Sequence, residues 1–203
     1  MILQKIEPIE SSYAQHNYGK TFYYIVRSHR PTVVVEIGTL HGYSAIHIGM
    51  SLKHNEKLYG YGGTIECYDL WDQYKFNHGN KIAVQDRINK YDLQKYVTLK
   101  DGNADNIHEN FDINSVHLLH VDISNDGDVV DRMMELWHPI IVMQGMIIFE
   151  GGDPDRDKVD WMIKYNKRPI APVIAKNKLI QSFYLYGTYN KFPSLTVLVK
   201  KGD

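Results

Sequence analysis

Short β-branched runs alternate with longer stretches of helical spacing along most of this chain. The first clear run is TVVVEIG, Thr32–Gly38, bounded by Pro31 and Gly38. A continuous apolar run this short fits a strand buried on both faces of a sheet. Tyr43–Leu52 follows with helical periodicity, Ile46, Gly49 and Met50 falling at one spacing. The alternation then repeats. Gly63–Leu70 reads as strand, Lys81–Tyr91 as helix, Tyr96–Lys100 as strand and Ala104–Phe111 as a short helix. Val116–Asp122 reads as strand and Gly127–Trp137 as helix. Ile140–Glu150 contains a turn and a strand, and Pro154–Tyr165 is helical. Ahead of all these, residues 11–30 read as a helix capped by Ser11 or Ser12, with Phe22, Ile25 and Val26 on its apolar face.

Five strand–helix alternations imply a parallel sheet covered by helices on both faces. The tail departs from this rhythm. Gln181–Tyr189 and Ser194–Lys200 are two strand-like runs with only the short connector Asn190–Pro193 between them, so they pair as an antiparallel hairpin. The expected fold class is therefore α/β, Rossmann-like and doubly wound, with a mostly parallel sheet and a C-terminal antiparallel hairpin. No Pro/Gly/Ser-rich linker divides the chain, so residues 1–30 read as an N-terminal helical segment of the same domain as residues 31–203.

Composition narrows the function classes. With 203 residues and 43% hydrophobic content there is enough apolar material for one sizeable core, which excludes disorder as the main state. Lys plus Arg is 23 and Asp plus Glu is 24, a formal charge of −1. No basic excess or stripe is visible, so nucleic acid is not an expected partner. Cys67 is the only cysteine, which excludes an internal disulfide and a cysteine-based zinc site. The opening MILQKIEPIESS lacks the apolar core of a signal peptide, and no run approaches the roughly 18 apolar residues of a membrane span. A cytoplasmic location and no membrane partner are the expectations.

In an open α/β sheet, ligands bind beyond the carboxyl ends of the strands, where strand order reverses. The residues at those ends are Glu36 and Gly38, then Asp69, then Asp101 and Gly102, then Asp122, then Glu150. Any one of these acids can simply cap the next helix. Five carboxylates on one rim point to a ligand site. In the first loop, E-I-G-T-L-H-G-Y-S, Gly38 and Gly42 permit a tight turn and close approach of a ligand to backbone. Ser44 and the free N–H groups of the next helix can bind a carboxylate or phosphate, although a plain strand-to-helix turn has the same pattern. The spacing is not G-x-G-x-x-G, which disfavours a nicotinamide cofactor. Asp69 can accept both hydroxyls of a ribose or act as a cap. Trp71 can pack on a flat base or on the rim, and DGNAD, Asp101–Asp105, offers donors for a heterocycle edge or a plain turn.

The series VEIGTLHGYSA, IECYDLW, LKDGNAD, LLHVD and MIIFEGG resembles the class I S-adenosylmethionine-dependent methyltransferases, and within them the small O-methyltransferase-like families. The resemblance spans about residues 30–200 and implies a seven-stranded sheet ordered 3-2-1-4-5-7-6. It makes residues 31–203 the domain that binds S-adenosyl-L-methionine. Glu36, Gly38, Gly42 and Ser44 would hold the methionine end of the cofactor, with Thr39 and Tyr43 in the same loop also cofactor-binding. Asp69 would take the ribose, Leu70 and Trp71 would lie near the adenosine, and Asn103 and Ala104 would line the adenine. Asp122 would sit between cofactor and acceptor, facing Gly38.

Methyl transfer from a sulfonium needs an aligned nucleophile and a group that removes its proton. Asp122 is the first candidate base and Glu150 the second catalytic acid. His120 shares the strand face of Asp122 but reads as a buried core histidine. Metal-dependent relatives hold a divalent cation between acids of the fourth and fifth strand ends. Here the second fifth-strand ligand is replaced by Gly151, leaving Asp122, Glu150 and Asn125 or Asp126, so a metal is not favoured. The acceptor site is expected among Tyr13, Tyr18, Tyr23, the loop Trp71–Asn80 and Gly151–Asp157. The resemblance thus implies methylation of a hydroxyl on a small molecule or sugar. N-methylation of a small amine and a non-catalytic cofactor-binding relative stay open, as does a homodimer.

Overall fold

The computed structural model describes residues 6–76, 78–189 and 193–202. The connector Asn190–Phe192 and the first five residues of the opening segment lie outside the described residues. At the centre of the sheet is β1, Val33–Ile37. It pairs in parallel with β2, Thr64–Asp69, on one side and with β4, Val116–Val121, on the other. Outside β2 lies β3, Val97–Asp101, also parallel. Outside β4 lies β5, Ile141–Glu150, parallel, followed by β7, Leu195–Lys200, and β6, Phe183–Tyr189, both joined in antiparallel fashion. The order is β3-β2-β1-β4-β5-β7-β6, as the sequence implied.

The period of two along each strand divides the core into two layers. Val34, Ile65, Cys67, Leu118 and Ile148 point to one face and pack with α1, Tyr18–His29, and α2, Tyr43–Tyr59. Val35, Ile37, Leu119, Val121, Ile147 and Phe149 point to the other and pack with α4, Gly127–Trp137, whose Trp137 is fully buried. The central strands β1 and β4 are buried on both faces, which is why their runs in the sequence are almost continuously apolar. α3, Lys81–Lys90, covers the first face beside α2 through Val84 and Ile88.

Several elements differ from their expected bounds for identifiable reasons. The helix expected over residues 11–30 is broken at Asn17, which adopts φ +57°. Ser12–His16 is a 3₁₀ turn, with the Ser11 hydroxyl accepting from the Tyr13 N–H, and α1 begins after it. α2 runs beyond Leu52 to Tyr59 because Asn55 is still buried against α1, and Gly60 at φ +80° then ends it. The turn expected inside Ile140–Glu150 is a bulge: pairing with β4 jumps from Val116↔Ile141 to Leu118↔Met146, with Gln144 at φ +62°. Ala104–Phe111 shrinks to a 3₁₀ turn, Ile107–Asn110. Pro154–Tyr165 divides into a 3₁₀ turn, Arg156–Lys158, and α5, Asp160–Lys164. One helix went unread, α6, Ile170–Lys176. Its sequence IAPVIAK carries Pro172 in the first turn, where a missing N–H costs nothing because that group has no intrahelical partner. In the terminal hairpin the β6–β7 register shifts between Leu185 and Gly187.

The switch point lies between β1 and β4. There the Asp122 N–H donates to the Ile37 carbonyl at 2.8 Å, extending the ladder one step past both strands. Gly38 has φ +90°, and a Cβ on it would fall inside the van der Waals shell of the Asp122 carbonyl oxygen. Only glycine satisfies both demands. Gly38→Ala is expected to destabilise the fold by about 2–4 kcal/mol, from the left-handed backbone and the displaced Asp122 carbonyl together. Urea denaturation of the two proteins measures it.

Candidate functional site

A cavity of about 630 Å³ opens at the carboxyl ends of β1, β2, β3 and β4, within the roughly 300–1,000 Å³ usual for small-molecule sites. Gly38, Thr39, Tyr43 and Ser44 wall it from the first loop and the start of α2. Asp69 and Leu70 come from the end of β2, Asn103 and Ala104 from the turn after β3, and Asp122 and Glu150 from the ends of β4 and β5. Ten of the residues singled out in the sequence thus meet around one space.

Three do not line it. Gly42 is the N-cap of α2 at φ +79°, where a Cβ would strike Val84. Its role is to turn the loop into the helix. The Trp71 indole is buried and donates from Nε1 to the Lys100 carbonyl at 3.1 Å, so it packs under the rim. Glu36 lies inside β1, not at its end, and is fully buried on the α1/α2 face. Its Oε1 meets His120 Nδ1 at 3.0 Å, and its Oε2 has no hydrogen-bond partner.

Asp69 acts first on its own protein. Oδ2 accepts from the Thr39 and Leu40 N–H groups at 2.8 and 2.9 Å, and Oδ1 accepts from the Trp71 N–H at 3.0 Å. A carboxylate has about four lone-pair sites, so these bonds leave about one for a ligand hydroxyl. They also hold the first loop in shape across the β1–β2 gap. The Thr39 Oγ1 is buried without a partner beside this loop, a donor that a polar ligand would satisfy.

At the other end of the cavity, Glu150 and Arg156 form a buried bidentate pair. Arg156 Nε donates to Oε1 at 2.7 Å and Nη2 to Oε2 at 2.6 Å. Burial pushes the Glu150 carboxyl up, and the Arg156 guanidinium opposes that rise. Arg156 lies in the segment Gly151–Asp157 expected to border the acceptor, but its pairing with Glu150 is not legible in the polar stretch PDRDK, which reads as an ordinary helix. The other acids and amides near a conceivable metal are also engaged. Asn125 Nδ2 donates to the Val121 and Glu150 carbonyls, and Asp126 caps α4 and pairs with Lys167. Among the described residues no group of three His, Cys, Asp or Glu side chains converges as a metal-holding set. The donor set does not fit a divalent cation, since a guanidinium already neutralises Glu150.

Asp122 is different. It is half-buried on the cavity wall, and its carboxyl is pushed up to about 7, chiefly by burial. His120 pulls it down, Glu150 and Glu36 push it up, and a hydrogen bond from the Tyr13 hydroxyl favours its charged form. Tyr13 comes from the N-terminal turn and lines the cavity together with Glu10, Ser11 and Ser12. Of the other residues expected to shape an acceptor site, Tyr74, Phe76 and Arg156 line the cavity. Tyr18 and Tyr23 pack α1 instead, and Tyr23 bonds His54 at 2.7 Å. Asn77 lies outside the described residues.

Comparison with known proteins identifies the family and the fold. The model of the methyltransferase domain family matches residues 35–150, more than half of the chain. The chain belongs to that family. Its fold is similar to that of the O-methyltransferase TomG from Streptomyces achromogenes, crystallised with S-adenosylmethionine, at TM-score 0.69 and 15% identity over 96% of this chain and 82% of that one. An O-methyltransferase from Bacillus cereus, crystallised with S-adenosylhomocysteine, matches at TM-score 0.67 and 16% identity, over 96% of this chain and 84% of that one. The methyltransferase PaMTH1 of Podospora anserina, also bound to S-adenosylhomocysteine, matches at TM-score 0.64 and 18% identity over 95% and 80%. No curated protein sequence matches the chain. This methyltransferase carries its matched segment from β1 to the end of β5, the part of the sheet that builds the cavity. Among the described residues no helix is long and apolar enough to cross a membrane.

The Glu150–Arg156 pair sets a stability test. Arg156→Met leaves a buried carboxylate without its partner and is expected to cost about 3–5 kcal/mol. The double variant Arg156→Met/Glu150→Met should recover most of that loss. Thermal melts of the three proteins decide it.

Proposed function

We propose that this methyltransferase moves the methyl group of S-adenosyl-L-methionine to a hydroxyl of a small molecule or sugar, with Asp122 as the general base. The observation that carries the reading is the placement of Asp122. Burial pushes its carboxyl up to about 7, and it abuts the glycine loop at the switch point. A base works best when its pKa lies near the operating pH. Glu150, the second candidate, is held by Arg156 and serves better as a fixed wall than as a proton acceptor.

S-adenosylmethionine, when bound, supplies an electrophilic methyl on a sulfonium centre. The chain's own residues supply the rest. Gly38 and the Asp69-anchored loop give the methionine end a backbone cradle, and Asp69 keeps a lone pair for a ribose hydroxyl. Asn103 and Ala104 offer the edge for adenine. Ser11, Ser12, Tyr13, Tyr74 and Phe76 border the acceptor end, where polar hydroxyls and rings can receive a sugar or an aromatic alcohol. Asp122 orients the acceptor hydroxyl and removes its proton. The near-neutral charge of the chain keeps nucleic acid out of the proposal.

Calorimetric titration with S-adenosylhomocysteine, with NAD as control, tests the cofactor. Micromolar binding of the first and none of the second is expected, and the reverse would sink the reading. Asp69→Ala should weaken that binding at least tenfold, since a hydrogen bond to a charged group contributes roughly 1.5–3 kcal/mol. Equal affinity in the two proteins would reduce Asp69 to a loop anchor.

Asp122 also predicts a pH dependence of stability. Its folded pKa, about 7, lies above its ordinary value of 3.8, so the folded state binds the extra proton between them. Stability from this group is complete below about pH 4 and is lost as pH rises through about 7. Asp122→Asn should flatten that segment of the stability–pH curve. In a turnover assay with a found acceptor, kcat/KM should rise through the same range in the native protein, and the variant should lose kcat far more than affinity.

A further inference from the structure

From Asp122 and Tyr13 on the cavity wall a line of buried polar groups leads into the core, and the reading above leaves its inner members unused. Sheet register creates it. Cys67, Glu36 and His120 are cross-strand partners in one row, Cys67↔Glu36 on β2 and β1 and Glu36↔His120 on β1 and β4. Glu36 and His120 are both fully buried, and Tyr13 is nearly so. His120 Nδ1 lies 3.0 Å from Glu36 Oε1, and His120 Nε2 lies 3.3 Å from the Tyr13 hydroxyl. The same hydroxyl reaches toward the Asp122 carboxyl, with which it shares the cavity wall. Four groups thus run in series from the cavity wall into the core: Asp122, Tyr13, His120, Glu36.

A plain structural role does not account for this line. A core histidine needs two partners, but not an acid at one end and a phenol at the other that itself reaches a second acid. Glu36 is a buried acid whose Oε2 has no hydrogen-bond partner, which is costly unless a positive charge stands nearby at some stage. The ring of Phe22 closes on the His120 imidazole at 4.8 Å, edge to face, and the ring of Tyr13 on that of Phe22 at 5.4 Å. These rings pack against the inner part of the line.

We propose that Tyr13, His120 and Glu36 form a buried proton relay that takes the acceptor's proton on from Asp122. The inference rests on Asp122 as the base. The proton balance is simple. With Asp122 ionised, the Tyr13 O–H donates to it, and His120 carries its proton on Nδ1, donating to Glu36. When Asp122 takes the acceptor's proton it becomes the donor, the Tyr13 O–H turns from Asp122 to His120 Nε2, and the Asp122 proton passes to the Tyr13 oxygen as the Tyr13 hydroxyl proton moves to Nε2. Asp122 is a carboxylate again, Tyr13 is still a phenol, and His120 is an imidazolium beside the Glu36 carboxylate. One proton has entered and one charge has formed, next to the counter-charge that the register row supplies. Tyr13 and His120 are positioning and relay residues here, since neither needs to touch the reacting atoms.

The groups facing the relay come from several elements. His120 and Asp122 lie on β4 or its end, Glu36 on β1, Cys67 on β2, Glu150 at the end of β5 and Tyr13 on the N-terminal turn. The Cys67 thiol is held well up by burial and by Glu36, so it stays neutral. The Tyr13 phenol is likewise pushed well up by burial and by Asp122, Glu150 and Glu36, so it serves as a neutral conduit.

The test needs no acceptor. The protein is labelled with ¹³C at Asp carboxyls and ¹⁵N in His rings, and titrated with and without S-adenosylhomocysteine. In the native protein the His120 ring shifts should move through the same inflection as the Asp122 carboxyl, reporting the neutral Nδ1–H tautomer above it and the imidazolium below it. Tyr13→Phe keeps the ring and removes the conduit. The His120 shifts should then stop following Asp122, and the Asp122 midpoint should rise by about one pH unit, the lower end of a hydrogen bond to a charged group. Glu36→Gln should also uncouple His120 while leaving Tyr13 bonded to Asp122. His120 shifts that ignore the Asp122 inflection in the native protein, or an Asp122 curve unchanged by Tyr13→Phe, would overturn the relay. Failure of S-adenosylhomocysteine to bind would instead overturn the methyl-transfer reading, so the two failures are told apart.

Discussion

The pairing of β1 with β4 is the constraint on which the site depends. Because these two strands run side by side in parallel, the loop that leaves β1 and the loop that leaves β4 open on the same edge of the sheet. The Asp122 N–H bonds the Ile37 carbonyl, and Gly38 lies against the Asp122 carbonyl with no room for a side chain. The cradle for a charged small molecule and the carboxyl that can take a proton are therefore fixed to each other by backbone. No side-chain packing needs to be right first. The helices on both faces then bury the strands that hold this edge in place.

Electrostatics is divided along the rim in a consistent way. Asp69 is tied down by three backbone N–H groups, Glu150 by a guanidinium and Asp126 by a helix N-terminus and Lys167. Each of these acids has a partner that stabilises its charge. Asp122 has no such partner: burial and the Glu150 and Glu36 charges outweigh the pull of His120 and Tyr13, and its carboxyl is pushed up to about 7. A row of acids that looks uniform in sequence is sorted by its partners into holders and one proton acceptor.

The sheet was readable in the sequence because its central strands are buried on both faces, so that Val33–Ile37 and Val116–Val121 appear as mostly apolar runs. The strand-end acids and the glycine loop followed from the same pattern. What was not readable came from partners distant in the chain. Arg156 is bound to Glu150 by the fold of a polar loop, which no periodicity marks. Glu36 appeared to end its strand, but the ladder continues to Ile37, and the pleat then turns Glu36 into the core. Trp71 sits one residue too deep for a base, since its indole is claimed by the Lys100 carbonyl. The N-terminal segment read as one helix because its apolar spacing is nearly continuous, and only the left-handed Asn17 separates Tyr13 from α1.

The outer edge of the sheet carries an irregularity with a consequence for strand addition. β6 presents Tyr184, Leu185 and Tyr186 to solvent, a sticky border for any stray strand. Yet its register with β7 slips between Leu185 and Gly187, in the middle of that border. A slip of this kind bends the strand and breaks the even row of amide and carbonyl groups that a foreign strand would need as a template. The irregularity therefore acts as a guard against fibril-like growth, allowing the border to keep its aromatic side chains.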